Sequence, residues 1–342
     1  MSNPFPAIDQ YTADIRTLEN DLRSGLDRFW EAAAAILHGS AIHLTPPDET
    51  TFSLSRNFFS TLFLYSYYRT GIPPERRILY AAINQCLRGM VTGCDNILDD
   101  EYKTTLETDL PRAAYRFRSV LDIMVADRVL FALLTEYCRE HDLPPDLALR
   151  ASTASLQALT RSGAQEASEE GGINERLVPE TILKKIHHSK TGLLFQSTWA
   201  VPDLVEGAIT PATWSVREAL YQIGIGCQIL DDIVDLFVDV REKRHNYIAS
   251  LIAHEEPPEV RERLQSMLSV RGTTAVQDFY AEFPALTTGI KNKALCFLES
   301  GLQSLFLDKH QRLVGPATEF IANRIGVPLK SNRSPLHMAQ CV

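Results

Sequence analysis

The sequence predicts an all-α protein, and three observations support this. Apolar residues recur every three or four positions along most of the 342 residues, which is the period of an amphipathic helix. Several of these runs open at a proline, which is favoured in the first turn of a helix because its missing N–H is not needed there. No convincing run alternates apolar and polar residues with the period of two that is typical of a strand.

The predicted helices follow one another along the chain. The first covers residues 8–36, where apolar side chains repeat at helical spacing, and Gly39 is expected at its C-terminal cap. A loop is expected at residues 44–50, LTPPDET. Further helices are predicted to begin near Phe52, Pro74, Pro111, Pro145, Pro179, Pro211, Pro257 and Thr273, with a last one near residue 310. The polar stretch 164–177 is expected to be a long loop or a lid.

The short connections predict one domain over residues 1–328 and a flexible tail over residues 329–342. The chain carries 34 Lys and Arg against 43 Asp and Glu, a net charge of −9 without a basic stripe, so no nucleic-acid partner is expected. No apolar run reaches the roughly 18 residues of a transmembrane helix, and the first residues lack a secretory pattern. The sequence therefore predicts no transmembrane segment and a cytoplasmic location.

The most informative segment is apolar almost throughout and yet carries polar side chains on one stripe. It covers residues 224–240, GIGCQILDDIVDLFVDV. The stripe consists of Gln228, Asp231, Asp232, Asp235 and Asp239, spaced by three or four residues. A helix that is apolar on most sides is buried, and several carboxylates there cannot all ionise without a counter-charge. Oxygen-only ligands favour Mg²⁺ as that charge. A solvated acidic face is the alternative, which the apolar flanks disfavour.

A second acidic cluster, at residues 93–102, ends another apolar segment. Asp95 and Asp99 stand four residues apart, about 6 Å along a helix axis, and Asp100 follows. Alone, this cluster fits an ordinary exposed helix equally well. Paired with the first, it predicts two carboxylate patches that face one cavity and hold several Mg²⁺. A diphosphate with an apolar tail fits such a cavity, because metal ions neutralise the leaving diphosphate and apolar walls keep water from the carbocation.

These residues resemble the motifs of a known superfamily, the class I isoprenoid synthases, which include trans-prenyltransferases and terpene synthases. Residues 224–235 match the pattern G-x-G-x-Q-x-x-D-D-x-x-D of its second aspartate-rich motif. Residues 190–192, Lys-Thr-Gly, resemble its Lys-Thr segment, whose lysine binds the allylic diphosphate. Residues 95–100 resemble its first aspartate-rich motif, with Asn96 in place of the second Asp. The resemblance extends from about residue 53 to residue 255.

The resemblance implies a class I isoprenoid synthase helical bundle around a central apolar cavity, with Mg²⁺ as cofactor and three ions when diphosphate is bound. The implied metal ligands are Asp95, Asp99, Asp100, Asp231, Asp232 and Asp235, and all except Asp100 are also the implied catalytic residues. The implied diphosphate ligands are Arg56, Lys190, Gln228, Arg244 and Tyr247. Arg56 falls where the superfamily has an early basic segment. Arg244 and Tyr247 lie in a stretch similar to the basic-and-tyrosine stretch of squalene and phytoene synthases. A solvated basic face remains the alternative for Lys190 and Arg244, and a homodimer is a further expectation.

Two departures from the superfamily pattern bear on the reaction. The early basic segment keeps Arg56 alone, and residues 102–105, Tyr-Lys-Thr-Thr, stand where Arg-Arg-Gly follows the first motif. In chain-elongating members those groups bind isopentenyl diphosphate. The sequence therefore favours a terpene synthase that ionises an allylic polyprenyl diphosphate, farnesyl or geranylgeranyl diphosphate, and cyclises the cation. A chain-elongating trans-prenyl diphosphate synthase is the alternative. A non-catalytic partner subunit of a prenyl synthase is the alternative from another class, which the near-complete aspartate sets disfavour.

Overall fold

The regular structure of this protein is helical. The computed structural model describes residues 12–207, 210–269 and 276–329. Within these ranges the chain forms helices, turns and loops, with one isolated antiparallel bridge between Leu44 and Thr108. The all-α prediction is therefore confirmed. In the part of the chain that the structure describes, no helix is both long and apolar enough to cross a bilayer.

The helices begin largely where the prolines predict. In chain order the α-helices of the described ranges are α1 Thr12–Leu37, α2 Phe58–Arg69, α3 Pro74–Leu98, α4 Tyr115–Glu140, α5 Asp146–Ala167, α6 Pro179–Thr181, α7 Leu193–Gln196, α8 Ala200–Glu206, α9 Pro211–Glu242, α10 Tyr247–His254, α11 Pro258–Ser269, α12 Val276–Glu282, α13 Pro284–Leu305 and α14 Val314–Ile325. A π-helical segment, Ile182–Gly192, joins α6 to α7. The predicted residues 8–11 of the first helix, the helix start near Thr273 and residues 330–342 of the predicted tail lie outside the described ranges.

The chain divides into two compact units. The first comprises residues up to 159 together with residues 197–214, and the second comprises residues 160–196 together with those from 215 onward. Helices α5 and α9 each contribute residues to both units. The single domain expected over residues 1–328 stays a prediction.

In the first unit, α3 is the central helix. It packs against α1, α2 and α4, and its residues from Leu79 to Leu87 are buried. Helices α3 and α4 approach closely at Gly93, where a Cβ would lie 2.7 Å from the Ile123 side chain and 2.8 Å from the Ser119 carbonyl oxygen. Because glycine has no Cβ, the end of α3 that carries Asp95 lies directly against α4.

In the second unit, α9 has the buried character that its composition predicts. Its buried apolar residues include Ile223, Ile229, Leu230, Ile233 and Leu236, none more than 1% exposed. Helix α13 packs against it at Gly226, where a Cβ would lie 2.8 Å from the Ala294 carbonyl oxygen and 2.7 Å from Leu298. Burying these side chains is the main source of stability for such a helix.

The stretch 164–177 is only partly a loop. Helix α5 continues through Ala167, so the loop prediction is wrong for residues 164–167. Two contacts hold this helix end: the Ser162 hydroxyl donates to the Lys190 carbonyl oxygen at 2.7 Å, and Glu166 forms an ion pair with the Lys190 ammonium. A polar sequence does not reveal such tertiary contacts, which is why the composition of this stretch indicates a loop.

Candidate active-site residues

The acidic residues of α9 do not share one environment. Asp231 is exposed and Asp235 is half-buried, whereas the Asp232 side chain is only 3% exposed. Asp239 is half-buried like Asp235, and desolvation raises its pKa to about 7, with the neighbouring charge of Asp232 adding to the rise. The stripe predicted from the spacing is therefore not uniform: Asp231 is exposed, Asp232 is buried, and Asp235 and Asp239 are half-buried.

The Asp232 carboxylate is surrounded by hydrogen-bond donors of the protein. Its Oδ2 accepts the backbone N–H of Tyr247 at 2.6 Å and lies 2.9 Å from Nε2 of His187. Its Oδ1 accepts from the Gln228 side-chain amide at 3.2 Å. Gln228 in turn accepts a hydrogen bond from the Thr191 hydroxyl. The structure thus places Gln228 between the Lys-Thr segment and the aspartates.

The Lys-Thr segment contacts α9 at a glycine. A Cβ on Gly224 would lie 2.7 Å from the Thr191 carbonyl oxygen and 3.2 Å from the Phe195 ring. No other residue fits at position 224 without moving one of the two elements. Gly224 therefore allows the segment that contains Lys190 to pack closely against α9, the helix that carries the aspartates.

Lys190 lies in the π-helical segment Ile182–Gly192. Such hydrogen bonding is rare in proteins and is frequent at functional sites. The Lys190 ammonium lies 3.0 Å from a carboxylate oxygen of Glu166 and 3.4 Å from one of Glu169. Burial alone would lower the pKa of Lys190, but the charges of Glu166 and Glu169 outweigh it and raise the pKa. Lys190 is therefore a buried, charged ammonium with two protein partners.

Glu166 and Glu169 were not predicted from the sequence. They belong to the polar stretch that was expected to be a loop, and only the continuation of α5 places them beside Lys190. Glu169 is the more buried of the two, with a side chain 2% exposed. Its second carboxylate oxygen accepts the His245 N–H at 2.8 Å. One carboxylate thus contacts both the Lys-Thr segment and the chain that follows α9.

The chain that follows α9 carries the predicted diphosphate ligands Arg244 and Tyr247. Arg244 forms an ion pair with Glu242 at 3.0 Å. Tyr247 begins α10 and is buried, and burial raises its pKa to about 12. Asn246 caps α10, because its side-chain oxygen accepts the first free backbone N–H groups of that helix. The backbone of Tyr247 is therefore firmly held, while its role toward diphosphate stays a prediction.

The first acidic cluster lies at the C-terminal end of α3. Asp95 is in the last turn and Asp99 caps the helix, with its N–H bonded to the Asp95 carbonyl oxygen at 2.8 Å; both side chains are exposed. Asn96 is buried instead. Its side-chain amide donates to the Lys103 carbonyl oxygen at 3.0 Å, and its oxygen accepts the Lys103 N–H at 2.8 Å. Asn96 therefore stabilises the following loop.

Asp100, the sixth predicted metal ligand, has a left-handed backbone with φ of 53°. Its carboxylate accepts from the Arg116 guanidinium at 2.8 Å and from the Tyr115 hydroxyl at 2.7 Å. The Arg116 hydrogen bond, followed by that of Tyr115, lowers the pKa of Asp100. The structure therefore ties this carboxylate to the start of α4.

Arg56 lines a cavity of about 330 Å³ within the first unit. Arg88 and Gln85 of α3 and Trp30 of α1 also line it, and Arg88 donates to the Asn57 side chain at 3.0 Å. The Gln85 Oε1 and the Trp30 Nε1 are buried and have no hydrogen-bond partner among the described residues. Sequence reasoning missed Arg88, because an isolated arginine in a helix carries no motif.

The carboxylates of the two motifs that reach solvent suit Mg²⁺ that is shared with phosphate. Within the described residues, no three side chains of His, Cys, Asp or Glu form a ready-made cation site. Proteins usually hold Mg²⁺ through one or two carboxylates, with substrate phosphates and water completing the octahedron. Asp95 with Asp99, and Asp231 with Asp235, each supply such a pair four residues apart.

Sequence comparison finds no relative: no protein-family model matches the chain, and no curated protein matches it. Solved structures do match over nearly the whole chain. An octaprenyl pyrophosphate synthase from Helicobacter pylori has a TM-score of 0.60 at 15% identity, covering 89% of this chain and 99% of its own. A geranylgeranyl pyrophosphate synthase from Lactobacillus brevis has a TM-score of 0.56 at 17% identity, covering 93% and 99%.

A polyprenyl synthase from Caulobacter crescentus, solved with calcium and isoprenyl diphosphate, has a TM-score of 0.57 at 13% identity, covering 92% of this chain and 98% of its own. At such low identities, a likeness in structure establishes the fold. The fold agrees with the motifs at residues 95–100 and 224–235, which resemble the same group of proteins. This chain therefore has the all-α fold of these prenyl diphosphate synthases.

Proposed function

We propose that this chain is a Mg²⁺-dependent prenyl diphosphate synthase that joins an allylic polyprenyl diphosphate to isopentenyl diphosphate. One observation carries this choice: the cavity of the first unit offers two guanidinium groups, Arg56 and Arg88, where the sequence indicated one. The terpene synthase expected from the sequence needs no second anion site, so it becomes the second candidate. The prenyl synthases among the similar structures support the same order.

The cavity suits a small diphosphate ester in size and charge. Its volume of about 330 Å³ lies at the lower end of ligand sites, which are roughly 300–1,000 Å³. A guanidinium carries five N–H donors in a planar fork that matches phosphate oxygens. The acidic wall residues are engaged by neighbours: Asp48 accepts from Thr51, and Glu107 pairs with Arg118 at 3.1 Å. Each carboxylate therefore has a hydrogen-bond or ion-pair partner besides the two guanidinium groups.

In the proposed reaction, Asp95 with Asp99, and Asp231 with Asp235, would each hold Mg²⁺. Bound Mg²⁺ supplies Lewis-acid stabilisation of the leaving diphosphate. Lys190 adds a compact positive charge for phosphate oxygens. The bond between C1 of the allylic substrate and the diphosphate oxygen breaks with its electron pair on oxygen. The double bond of isopentenyl diphosphate supplies the pair for the new carbon–carbon bond, and the resulting cation loses a proton to the released diphosphate. Arg56 and Arg88 orient the second diphosphate.

The second candidate, a terpene synthase, is supported by the uncharged and acidic side chains that line the same cavity. Thr104 and Thr105 line it, and they belong to the stretch 102–105 that stands where the superfamily pattern has Arg-Arg-Gly. Two guanidinium groups facing two acidic side chains and two threonines bind a diphosphate less strongly than a uniformly basic cavity does. Cyclisation requires only the allylic substrate, so it tolerates this change.

The experiment that tests the proposal is product analysis with and without isopentenyl diphosphate. Purified protein is incubated with Mg²⁺ and geranyl, farnesyl or geranylgeranyl diphosphate, and both released diphosphate and prenyl products are measured. Longer linear diphosphates that form only when isopentenyl diphosphate is present support the proposal. A hydrocarbon or alcohol from the allylic substrate alone supports the terpene synthase. Absence of any turnover with every substrate would contradict both and favour the non-catalytic subunit.

Two arginine variants, one inside the cavity and one outside it, distinguish a specific role of the cavity from a general effect of lost positive charge. Arg88→Gln should raise the KM for isopentenyl diphosphate at least tenfold and leave the KM for the allylic substrate within about threefold. Arg128, an exposed arginine of α4, provides the matched control: Arg128→Gln removes the same charge from the same unit and should change neither constant. Equal effects of the two variants on the KM for isopentenyl diphosphate would show that the cavity does not bind this substrate.

A further inference from the structure

The two adjacent aspartates of the second motif differ in what surrounds them. Asp231 is exposed on α9, whereas the Asp232 side chain is 3% exposed. A resident metal ligand must keep a lone pair open to the ion. Asp232 has about four lone-pair sites on its two oxygens, and three protein donors already point at them. Those donors are the His187 ring, the Tyr247 N–H and the Gln228 amide, at 2.9, 2.6 and 3.2 Å.

Two of these donors, the His187 ring and the Tyr247 N–H, come from the two segments that carry predicted diphosphate ligands. His187 lies three residues before Lys190 on the π-helical segment. Tyr247 follows Arg244 by three residues and begins α10. The Oδ2 atom of Asp232 contacts both segments at once. Asp232 is therefore the common acceptor that relates the Lys-Thr segment to the chain after α9.

The backbone of Asp232 also contacts the chain that follows α9. Its carbonyl oxygen accepts from the Asn246 side-chain amide at 2.8 Å, and the same amide donates to Asp239 at 2.8 Å. The oxygen of Asn246 caps α10. The start of α10 is thus bound to α9 through both the side chain and the backbone of Asp232. The His187 ring and the Tyr247 N–H occupy both lone-pair sites of Oδ2, so coordination of an ion by that oxygen would require one of these buried hydrogen bonds to be given up. The one site left on Oδ1 belongs to a side chain that is 3% exposed.

We propose that Asp232 is a positioning residue, which fixes Lys190 and Arg244 for the diphosphate through His187 and the Tyr247 backbone, and that it is not a Mg²⁺ ligand. The inference rests on the proposed function, since it divides the roles of the second motif within that site. Mg²⁺ binding in this motif then belongs to Asp231 and Asp235, which are one helical turn apart and reach solvent. This assignment differs from the sequence-based expectation, in which all three aspartates bind metal.

The test is calorimetric binding of inorganic pyrophosphate at a series of Mg²⁺ concentrations, which requires no turnover. Asp231→Asn should raise the Mg²⁺ concentration for half-maximal binding at least tenfold. Asp232→Asn should weaken saturating pyrophosphate binding at least fivefold, yet leave the Mg²⁺ midpoint within about threefold of wild type. If Asp232→Asn shifts the Mg²⁺ midpoint as far as Asp231→Asn does, Asp232 is a metal ligand and the proposal is wrong.

Histidine variants keep the test decisive if Asp232→Asn fails to fold. His187→Ala removes the donor to Asp232 and should weaken pyrophosphate binding, whereas His187→Gln retains an N–H near the Nε2 position and should restore most of it. The neighbouring His188, whose ring contacts the Tyr221 hydroxyl at 3.1 Å, is the matched control. His188→Ala should bind pyrophosphate like wild type. Wild-type affinity in His187→Ala would overturn the positioning role.

The outcomes for the proposed function are separate. Wild-type protein that binds Mg²⁺ and pyrophosphate as described but makes no prenyl product would contradict the proposed function and leave the role of Asp232 intact. If the wild type makes prenyl products but the Asp231 and Asp232 variants have the same Mg²⁺ midpoint, the proposed function stands and the positioning role of Asp232 is wrong. A wild-type protein that does not bind pyrophosphate with Mg²⁺ would overturn both.

Discussion

The Lys190 ammonium lies 3.4 Å from the carboxylate of Glu169, a side chain only 2% exposed, and Glu166 completes the cluster at 3.0 Å. One cation therefore contacts two carboxylates inside the second unit. A diphosphate that binds Lys190 has to compete with them, because like charges so close together are unfavourable. The lysine predicted from the sequence to bind diphosphate is thus also a structural counter-charge, and its substitution should have two effects.

We expect Lys190→Ala to lower the free energy of unfolding by about 3–5 kcal/mol, the usual result of removing one partner of a buried ion pair. The reason is that Glu169 would keep its buried charge without a cation. Urea denaturation at neutral pH measures the change. Lys184→Ala is the control, since Lys184 pairs with Glu180 on the surface with both side chains more than 70% exposed, and such pairs contribute about 1 kcal/mol or less.

A second substitution tests whether Glu169 causes that loss. Combining Lys190→Ala with Glu169→Gln removes both charges and should recover part of the stability, because the remaining amide is neutral. Pyrophosphate affinity should stay low in the double variant, since the phosphate-binding cation is still missing. If stability does not recover, the loss has another origin than the unpaired carboxylate.

Gly224→Ala should destabilise the protein by about 1–3 kcal/mol, as overpacked sites do. The new methyl group would lie 2.7 Å from the Thr191 carbonyl oxygen, so α9 and the Lys-Thr segment must separate. Thermal unfolding measures the loss, and pyrophosphate binding should weaken with it. A Cβ on Gly289 in α13 would meet no atom of another described element within 4 Å, so Gly289→Ala should be neutral or stabilise by up to about 1 kcal/mol. Similar losses in both variants would contradict the close approach at Gly224.

Asn96→Asp restores the superfamily pattern of the first motif, yet we expect it to destabilise the protein by about 1–3 kcal/mol. The side-chain amide of Asn96 donates to the Lys103 carbonyl oxygen, and a carboxylate would place two acceptors against each other in a buried position. Denaturation with urea tests this expectation. Asn20→Asp, at an exposed position of α1, should change stability by about 0.5 kcal/mol or less. Tighter Mg²⁺ binding by Asn96→Asp without loss of stability would show that the loop tolerates a carboxylate there.

The buried Asp122 of α4 should make the stability of the protein depend on pH. Burial raises the pKa of Asp122 from its ordinary value of 3.8 to about 6, against the hydrogen bond from Thr105. The folded protein therefore holds this proton more tightly than the unfolded chain, and the contribution to stability is present below about pH 4 and lost as the pH rises to about 6. At about 1.4 kcal/mol per pH unit, the loss is on the order of 2–3 kcal/mol.

Urea denaturation of wild type and Asp122→Asn between pH 4 and pH 7 measures this dependence. The amide does not titrate, so wild type should lose stability relative to the variant across that interval. The Thr105 hydroxyl donates to Asp122 at 2.7 Å, and the oxygen of the asparagine can accept the same hydrogen bond. A constant difference between the two proteins would show that Asp122 titrates near its ordinary pKa.

The sequence by itself determined the helices and the identity of the polar groups. Apolar residues at helical spacing and prolines at the first turns predicted helix starts such as Pro74 and Pro211, both found in the structure. The apolar flanks of residues 224–240 predicted that α9 is buried, which is confirmed. These features are local, since a helix of period 3.6 places its own residues on faces without reference to the rest of the chain.

Only the tertiary structure decided which polar groups meet. Helical spacing placed Asp231 and Asp232 on one stripe, but burial and the donors of His187 and Tyr247 separated them. The continuation of α5 brought Glu169 to Lys190. Burial and hydrogen bonding depend on neighbours distant in the sequence, whose side chains fill the remaining volume and satisfy the remaining donors. No spacing rule along one segment contains that information.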